Sequence, residues 1–461
     1  MMHGETHIRG SNPPRSQFHH EGRFGRLFPE LPPFATDTEA VRAALRELGK
    51  KGGLMDATDP ARNEDNPDIS AGFTFLGQFI DHDLTFDPTS SLERQNDPEG
   101  IANFRTPSLE LDNVYGSGPT ASPHFYDQTQ PGKLLVETFT DPNGTARSDM
   151  PRNSQLTALI GDPRNDENLM VSQLHVAFLR FHNAIVDRLA SKGVPASQRF
   201  LEAQRLTRWH YQWVILHEFL PRLVGEDVLQ SVLRTKPNAR LFQWRKEPFM
   251  PVEFAVAAYR FGHSQVRPGY RMNAGFAAGL FNTGLPFNDP DPNDLRGGKR
   301  APRRFIEWQR FFLIGSPNDR QLSKLIDTQL SSPLFTLIGA NPESLAQRNL
   351  LRGLAFNLPS GQAMAKALSI PRLTPEELVD VKPLGFDRST PPWYYILKEA
   401  EVRAKGRKLG PLGARLVAEV FVGILQGDRH SFLNVEPDWK PLFGEGEDFT
   451  MGHLVKFAGV A

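Results

Sequence analysis

Residues 77–88 read GQFIDHDLTFDP, a histidine between two aspartates in a stretch that is otherwise mostly apolar or amide-bearing. Two carboxylates flanking one imidazole are costly in a buried place unless each is paired, ligated or consumed by chemistry. On a helix, Gln78, Asp81 and His82 stand at i, i+3 and i+4 and share one face, while Asp83 points about a third of a turn away. One face then offers an amide, a carboxylate and an imidazole to a common ligand. Taken alone, the pattern fits equally a polar helix face capped by its own aspartates, or a plain His–Asp metal pair.

The rest of the chain narrows the choice. Its 461 residues carry 53 basic and 53 acidic side chains, a balance that argues against nucleic acid or an anionic membrane as the main partner. A hydrophobic content of 39% and a charged content of 23% fit a soluble globular protein. Cysteine is absent, which excludes disulfides, a thiolate nucleophile and thiolate-held metal or iron–sulfur clusters. Any metal must be held by histidine, carboxylate or carbonyl groups. No apolar run has signal-peptide or membrane-spanning length, so a cytoplasmic location is the expectation, with leaderless export the second choice.

Residues 1–35, rich in Pro, Gly, His and Arg, are expected to form an extended arm over a single domain spanning 36–461. Apolar residues at three- and four-residue spacings predict a helix over 169–189, with Asp162 and Asp166 as upstream start signals. A second helix is expected over 197–220, capped by Ser197 and ended by Pro221, and a third over 415–425 after the breaker GPLG. Strand alternation is scarce, and 86–130 and 264–305 look like loops. The fold class is mainly α, with long loops and little β.

Several familiar chemistries fail. HEFLP at His217 lacks the second histidine of a zincin helix. NDPDPNDLRGGK has aspartates at calcium-loop spacing, but Asp294 stands at the glycine position and Arg300 at the glutamate position. There is no GxSxG, GxxxxGK[ST] or GxGxxG. Three other stretches remain: GDPRNDENLM, with Arg164 and Glu167 three apart; AYRFGHSQVRP, with His263 after a Phe–Gly pair and Arg260 a turn earlier; and RNLLRG, with Asn349 and Arg352. Each alone reads as an acidic helix start, a core histidine or a polar helix edge.

Together, and in this order, they resemble the animal-type haem peroxidase family of the peroxidase–cyclooxygenase superfamily, in its short bacterial form. The likeness runs from GRFGRLFPELPPF at Gly22 through GQFIDHDL, TPSLELDNVYGS, GDPRNDE, YRFGH and RNLLRG to LGPLGARLVAEVFVGILQGD. It implies a haem held between helices and an enzyme that reduces hydrogen peroxide. His82 matches the distal base, Arg164 the distal arginine and Gln78 the distal glutamine, while His263 matches the proximal iron ligand and Asn349 its hydrogen-bond partner. Arg164 should hold the pKa of His82 below the usual imidazole value of about 6.5. Arg260 and Arg352 match arginines near the proximal site, at least one pairing with a haem propionate. Asp81 and Glu167 fall where the family esterifies haem methyl groups, which would neutralise the buried carboxylates. Asp83, Thr106, Ser108, Glu110 and Asp112 match a calcium site, with Glu110 standing where aspartate is usual.

Asn168 replaces the methionine that gives the mammalian neutrophil enzyme its sulfonium link. The expected electron donors are therefore bromide, iodide, thiocyanate or small phenols rather than chloride. A fatty-acid dioxygenase of the same superfamily needs a tyrosine three residues before the proximal histidine. That position is Arg260, with Tyr259 about 100° around a helix. A non-catalytic protein with this fold is a further rival, although His82, Arg164 and His263 are all retained. A non-haem metallohydrolase using His82 and Asp83 would leave RFGH and RNLLRG unexplained.

Overall fold

The stretch AGFTFLGQFIDHDL forms the helix Ala71–Leu84 because its aromatic and aliphatic residues can all be buried. Phe73, Phe75, Leu76, Phe79, Ile80 and Leu84 are inside the core. The helix ends at Thr85, whose N–H and hydroxyl both donate to the Asp81 carbonyl. The computed structural model describes residues 24–86, 103, 105–244, 248–282, 289–446 and 448–461.

Two longer helices pack around this one, Leu169–Ser191 and Ala196–Val214. An aromatic junction locks the three. Phe79 stacks on Phe178 with ring centroids 4.8 Å apart, and Tyr211 stands edge-on to both. Such pairs add about 0.5–1.5 kcal/mol each beyond the area they bury. The first of these helices starts where periodicity predicts and runs two residues further. Its cap, however, is Asn168, whose Oδ1 accepts the Val171 N–H at 2.9 Å.

The second helix differs from expectation at both ends. Ser197 lies inside it, and Pro195 is the cap residue. Pro221 does not stop the chain. A π-helical turn over Ile215–Phe219 hands over to Leu220–Val224, with the proline in its first turn, where no intrahelical N–H is required. Gly225 ends this run at φ +84°. The GPLG segment is likewise the start of the helix Pro411–Gly427, with Pro411 in its first turn.

Strand is confined to four two-stranded ribbons among the described residues, which bears out a mainly α architecture. One of them, Gly269–Asn273 with Phe276–Gly279, lies in the stretch expected to be loop. Another joins Phe24–Gly25 to Met250–Pro251. Beyond it, Phe28 and Phe34 are buried, and the N–H groups of Leu27 and Phe28 donate to Glu253 at 3.0 and 3.1 Å. Residues 24–35 are thus bound into the core beside the His263 segment, while 1–23 of the expected arm lie outside the described residues. No described helix is long and apolar enough to cross a membrane.

Candidate active site

His82 is almost wholly buried. Its Nδ1 is turned inward, 2.7 Å from Asn165 Oδ1. Burial, with the Arg164 cation adding, lowers its pKa to about 4, so the ring is neutral at physiological pH. Asp83 points elsewhere, as the helix geometry predicts: its two oxygens accept the N–H groups of Leu111 and Asp112 at 3.2 and 3.1 Å. The two side chains do not form a metal pair.

Arg164 sits on the 3₁₀ turn Pro163–Asp166, which Asp162 caps. The buried Asp162 carboxylate accepts from Arg164 Nε and Nη2 at 3.1 and 2.8 Å, and from Arg105 Nε and Nη2 at 3.2 and 2.7 Å. Arg164 also donates to the carbonyls of Thr85 and His82, and its guanidinium lies over the Phe86 ring at 4.8 Å. Burial alone would raise the Asp162 carboxyl, but the two arginines overcome it and hold the pKa down at about 2. Asp162 is more than a helix-start signal, since it fixes the guanidinium beside His82.

Asp81 lies 3.8 Å from Arg164 Nη1 and keeps about a third of its side chain accessible. Glu167 is exposed, yet burial among protein atoms, with Asp162 adding, raises its pKa. A carboxyl that has accessible surface but is desolvated faces a recess walled by protein. Gln78 accepts from Asn168 Nδ2 at 3.2 Å. Asn168 thus both caps a helix and orients the glutamine.

The other histidine lies on the irregular segment Glu253–His263, a π turn followed by a 3₁₀ turn. Burial, then Arg260, depresses the His263 pKa to about 3, so this ring is also neutral. Asn349, on the helix Leu345–Ala355, reaches His263 Nδ1 with its Nδ2 at 2.7 Å. Its Oδ1 accepts from Arg260 Nη1 at 2.8 Å. A guanidinium can only donate, so Arg260 turns the amide N–H toward the imidazole. The expected contact is present, but the amide donates to the ring, the opposite sense to the one that raises ligand donor strength. Arg260 is committed to this bridge and to the Ala255 carbonyl at 3.0 Å. Arg352 is half-buried nearly one turn beyond Asn349.

The two histidine segments adjoin. Tyr259 is stacked on Phe254 and donates its hydroxyl to the Gly77 carbonyl on the His82 helix at 3.1 Å. A side chain at Gly262 would meet nothing within 4 Å, so open space lies directly beside His263. Two neutral imidazoles, a recess bordered by Asp81 and Glu167, and this gap fit a flat, iron-bearing group. The calcium set fits less well. Asp83 and Asp112 are brought together, but Arg105 stands 3.5 Å from Asp112. No three acidic or histidine side chains among the described residues gather as a cation site.

The model of the animal haem peroxidase family matches residues 90–289, a stretch that holds Arg164, Glu167 and His263. Human thyroid peroxidase is 26% identical over 323 residues, 65% of this chain and 33% of that protein.

The chain is similar to the animal haem peroxidase family.

A human peroxidasin homologue is 25% identical over 59% of the chain and 19% of its own length. The chain thus spans about a third or less of these two relatives. Among solved structures, peroxidase A of Dictyostelium discoideum superposes with a TM-score of 0.60, at 16% identity over 93% of this chain and 91% of that one. The fatty acid alpha-dioxygenase of Oryza sativa gives 0.59 at 15% identity over 89% and 76%. Both likenesses show the peroxidase fold. His82 and Asn349 lie outside the stretch the family model matches, so their placement rests on geometry: the Asn165 contact of one and the His263 contact of the other.

Proposed function

We propose that this chain is a haem-dependent peroxidase that reduces hydrogen peroxide at the expense of small electron donors. The observation that carries the reading is the pairing of two neutral, asparagine-held imidazoles on adjoining segments, one of them beside a pinned guanidinium. Haem, when bound, supplies the redox centre that accepts two oxidising equivalents from peroxide and passes them on. His263 would hold the iron through Nε2, which needs the ring proton on Nδ1, so the Asn349 amide would have to turn its oxygen toward the ring when haem binds. Asp81 and Glu167 would anchor the macrocycle, as esters in the mature protein. Ester formation would remove both carboxylate charges from the recess.

His82 Nε2 would take a proton from hydrogen peroxide and return it to the oxygen that leaves as water, the bound haem supplying the two electrons and retaining the other oxygen. A positioned general base of this kind contributes roughly 10²–10⁴-fold in rate. Arg164 stabilises the negative charge that builds on the departing oxygen. Gln78, held by Asn168, orients water or a small anion in the recess. Bromide, iodide, thiocyanate or small phenols are the donors this recess would serve. A calcium ion at Asp83, Thr106, Ser108, Glu110 and Asp112 is a further part of the reading. Its support is the pair of buried carboxylates and an all-oxygen donor set.

The fatty-acid dioxygenase reading has the fold in its favour, but Arg260 occupies the tyrosine position. Tyr259 is spent on the Gly77 carbonyl.

The test is His82→Ala. Haem should stay bound, with the Soret band retained, while the reaction with hydrogen peroxide slows by on the order of 10²-fold or more. Wild-type reactivity in that variant would refute the assignment of the base.

A further inference from the structure

Behind His82 lies a second buried link that the peroxide step does not itself use. Asn165 Oδ1 faces His82 Nδ1 at 2.7 Å, and Asn165 Nδ2 faces His175 Nδ1 at 3.0 Å. Both histidines and the asparagine are buried. His175 comes from the helix Leu169–Ser191, whereas Asn165 comes from the 3₁₀ turn that carries Arg164. Two elements therefore converge on the side of the imidazole that faces away from the recess.

His175 Nε2, at the far end of this chain, is buried and has no hydrogen-bond partner among the described residues. Burial, opposed only by the more distant Asp166 and Asp162, holds His175 at about 3. A buried, neutral chain of this kind can decide which nitrogen of His82 keeps a proton. An amide oxygen accepts only, so Asn165 Oδ1 against Nδ1 requires Nδ1–H, and the lone pair is then on Nε2. Arg164 favours the same choice. Its cation acts on this ring and is better matched by a lone pair than by an N–H on the recess side.

We infer that Asn165, itself held by His175, is a positioning residue that locks His82 in the Nδ1–H tautomer, leaving Nε2 as the base. The inference deepens the peroxidase reading and rests on it for its catalytic meaning. The logic is that of a carboxylate orienting a catalytic histidine, with a neutral amide in its place. The neutral amide has a consequence. A carboxylate would pull the His82 pKa up, whereas an amide fixes the tautomer and leaves the ring uncharged.

The experiment is ¹⁵N NMR of histidine-labelled holoprotein in the diamagnetic ferrous carbon monoxide form, with the His82 signals assigned by their loss in His82→Gln. The inference predicts a protonated Nδ1 and a bare Nε2. The opposite tautomer would overturn it. This readout needs no turnover. If Nδ1–H is found in a protein that ignores peroxide, the positioning stands and the peroxidase reading falls. The kinetic arm compares Asn165→Ala with Asn165→Asp, which keeps an acceptor. Peroxide-driven Soret change should slow by on the order of 10²-fold in the alanine variant and recover most of that loss in the aspartate variant. A wild-type rate in Asn165→Ala would also overturn the inference. Should Asn165→Ala fail to fold, the wild-type tautomer alone decides.

Discussion

Asn168 Nδ2 donates to Gln78 Oε1 across 3.2 Å while Asn168 Oδ1 accepts the Val171 N–H. One side chain thus caps a 23-residue helix and orients a pocket amide. The two tasks separate by substitution. Asn168→Asp keeps the cap acceptor but cannot donate to Gln78. Its melting temperature should stay near wild type, while KM for bromide or thiocyanate changes. Asn168→Ala should lose the cap as well, at a cost of about 1 kcal/mol in urea unfolding. Unchanged anion kinetics in Asn168→Asp would remove Gln78 from the donor site.

The low pKa of His82 sets a pH profile. Burial and then Arg164 hold it at about 4, so the ring is a competent base throughout the neutral range. It becomes protonated only as the pH falls through about 4. The rate of peroxide activation should be flat across the neutral and mildly acidic range and half-lost near pH 4. An acid limb near pH 6.5, about the value of a free imidazole, would contradict the buried setting. Arg164→Leu should move the limb upward, since the cation is one cause of the depression.

Asp162 links activity to acid stability. Its pKa of about 2 lies below the usual carboxylate value of 3.8, so the stability it contributes is fully present once the pH is above that usual value. That contribution, about 2 kcal/mol, is lost as the pH falls through about 2. Asp162→Asn leaves Arg105 and Arg164 without their shared counterion, which costs roughly 3–5 kcal/mol when the site is buried. Denaturant unfolding at neutral pH should show that loss, and the reaction with peroxide should slow as the guanidinium is released. A variant as stable as wild type would mean that the arginines find other partners.

Calcium has a distinct signature. Burial and then the neighbouring Asp112 carboxylate raise the Asp83 pKa, so without a cation the ionised form is strained as the pH rises. A bound calcium ion would relieve that strain. Millimolar calcium should raise the melting temperature of chelator-treated protein at neutral pH, and Asp83→Asn should abolish the increase. No effect of calcium on the wild type would leave Asp83 as a purely structural acceptor for Leu111 and Asp112.

The parts of this molecule legible in the sequence are those that obey a period. Apolar spacing locates the Leu169–Ser191 helix, and i, i+3, i+4 spacing places Gln78, Asp81 and His82 together with Asp83 apart. Where the backbone leaves the α period, reading by pattern stops. The π turn at Ile215–Phe219 carries a helix through Pro221, and the π and 3₁₀ turns before His263 give no amphipathic signal. Partners distant in sequence are invisible for another reason. Asn165 meets His82 from 83 positions away, and nothing in GDPRNDE marks the asparagine beside the arginine as the second contact. His175 reads as an ordinary histidine on an apolar helix face until Asn165 is placed against it. The direction of the Asn349 bridge needs Arg260, whose donor-only chemistry settles an amide that spacing leaves undecided.

The central claim is best tested by the visible absorption spectrum of the haem-loaded protein before and after one equivalent of hydrogen peroxide, then with bromide or a phenol added. The account predicts an intense Soret band that changes on mixing with peroxide and returns when the donor is supplied. A Soret band indifferent to peroxide, or none after expression with ample haem, would contradict it.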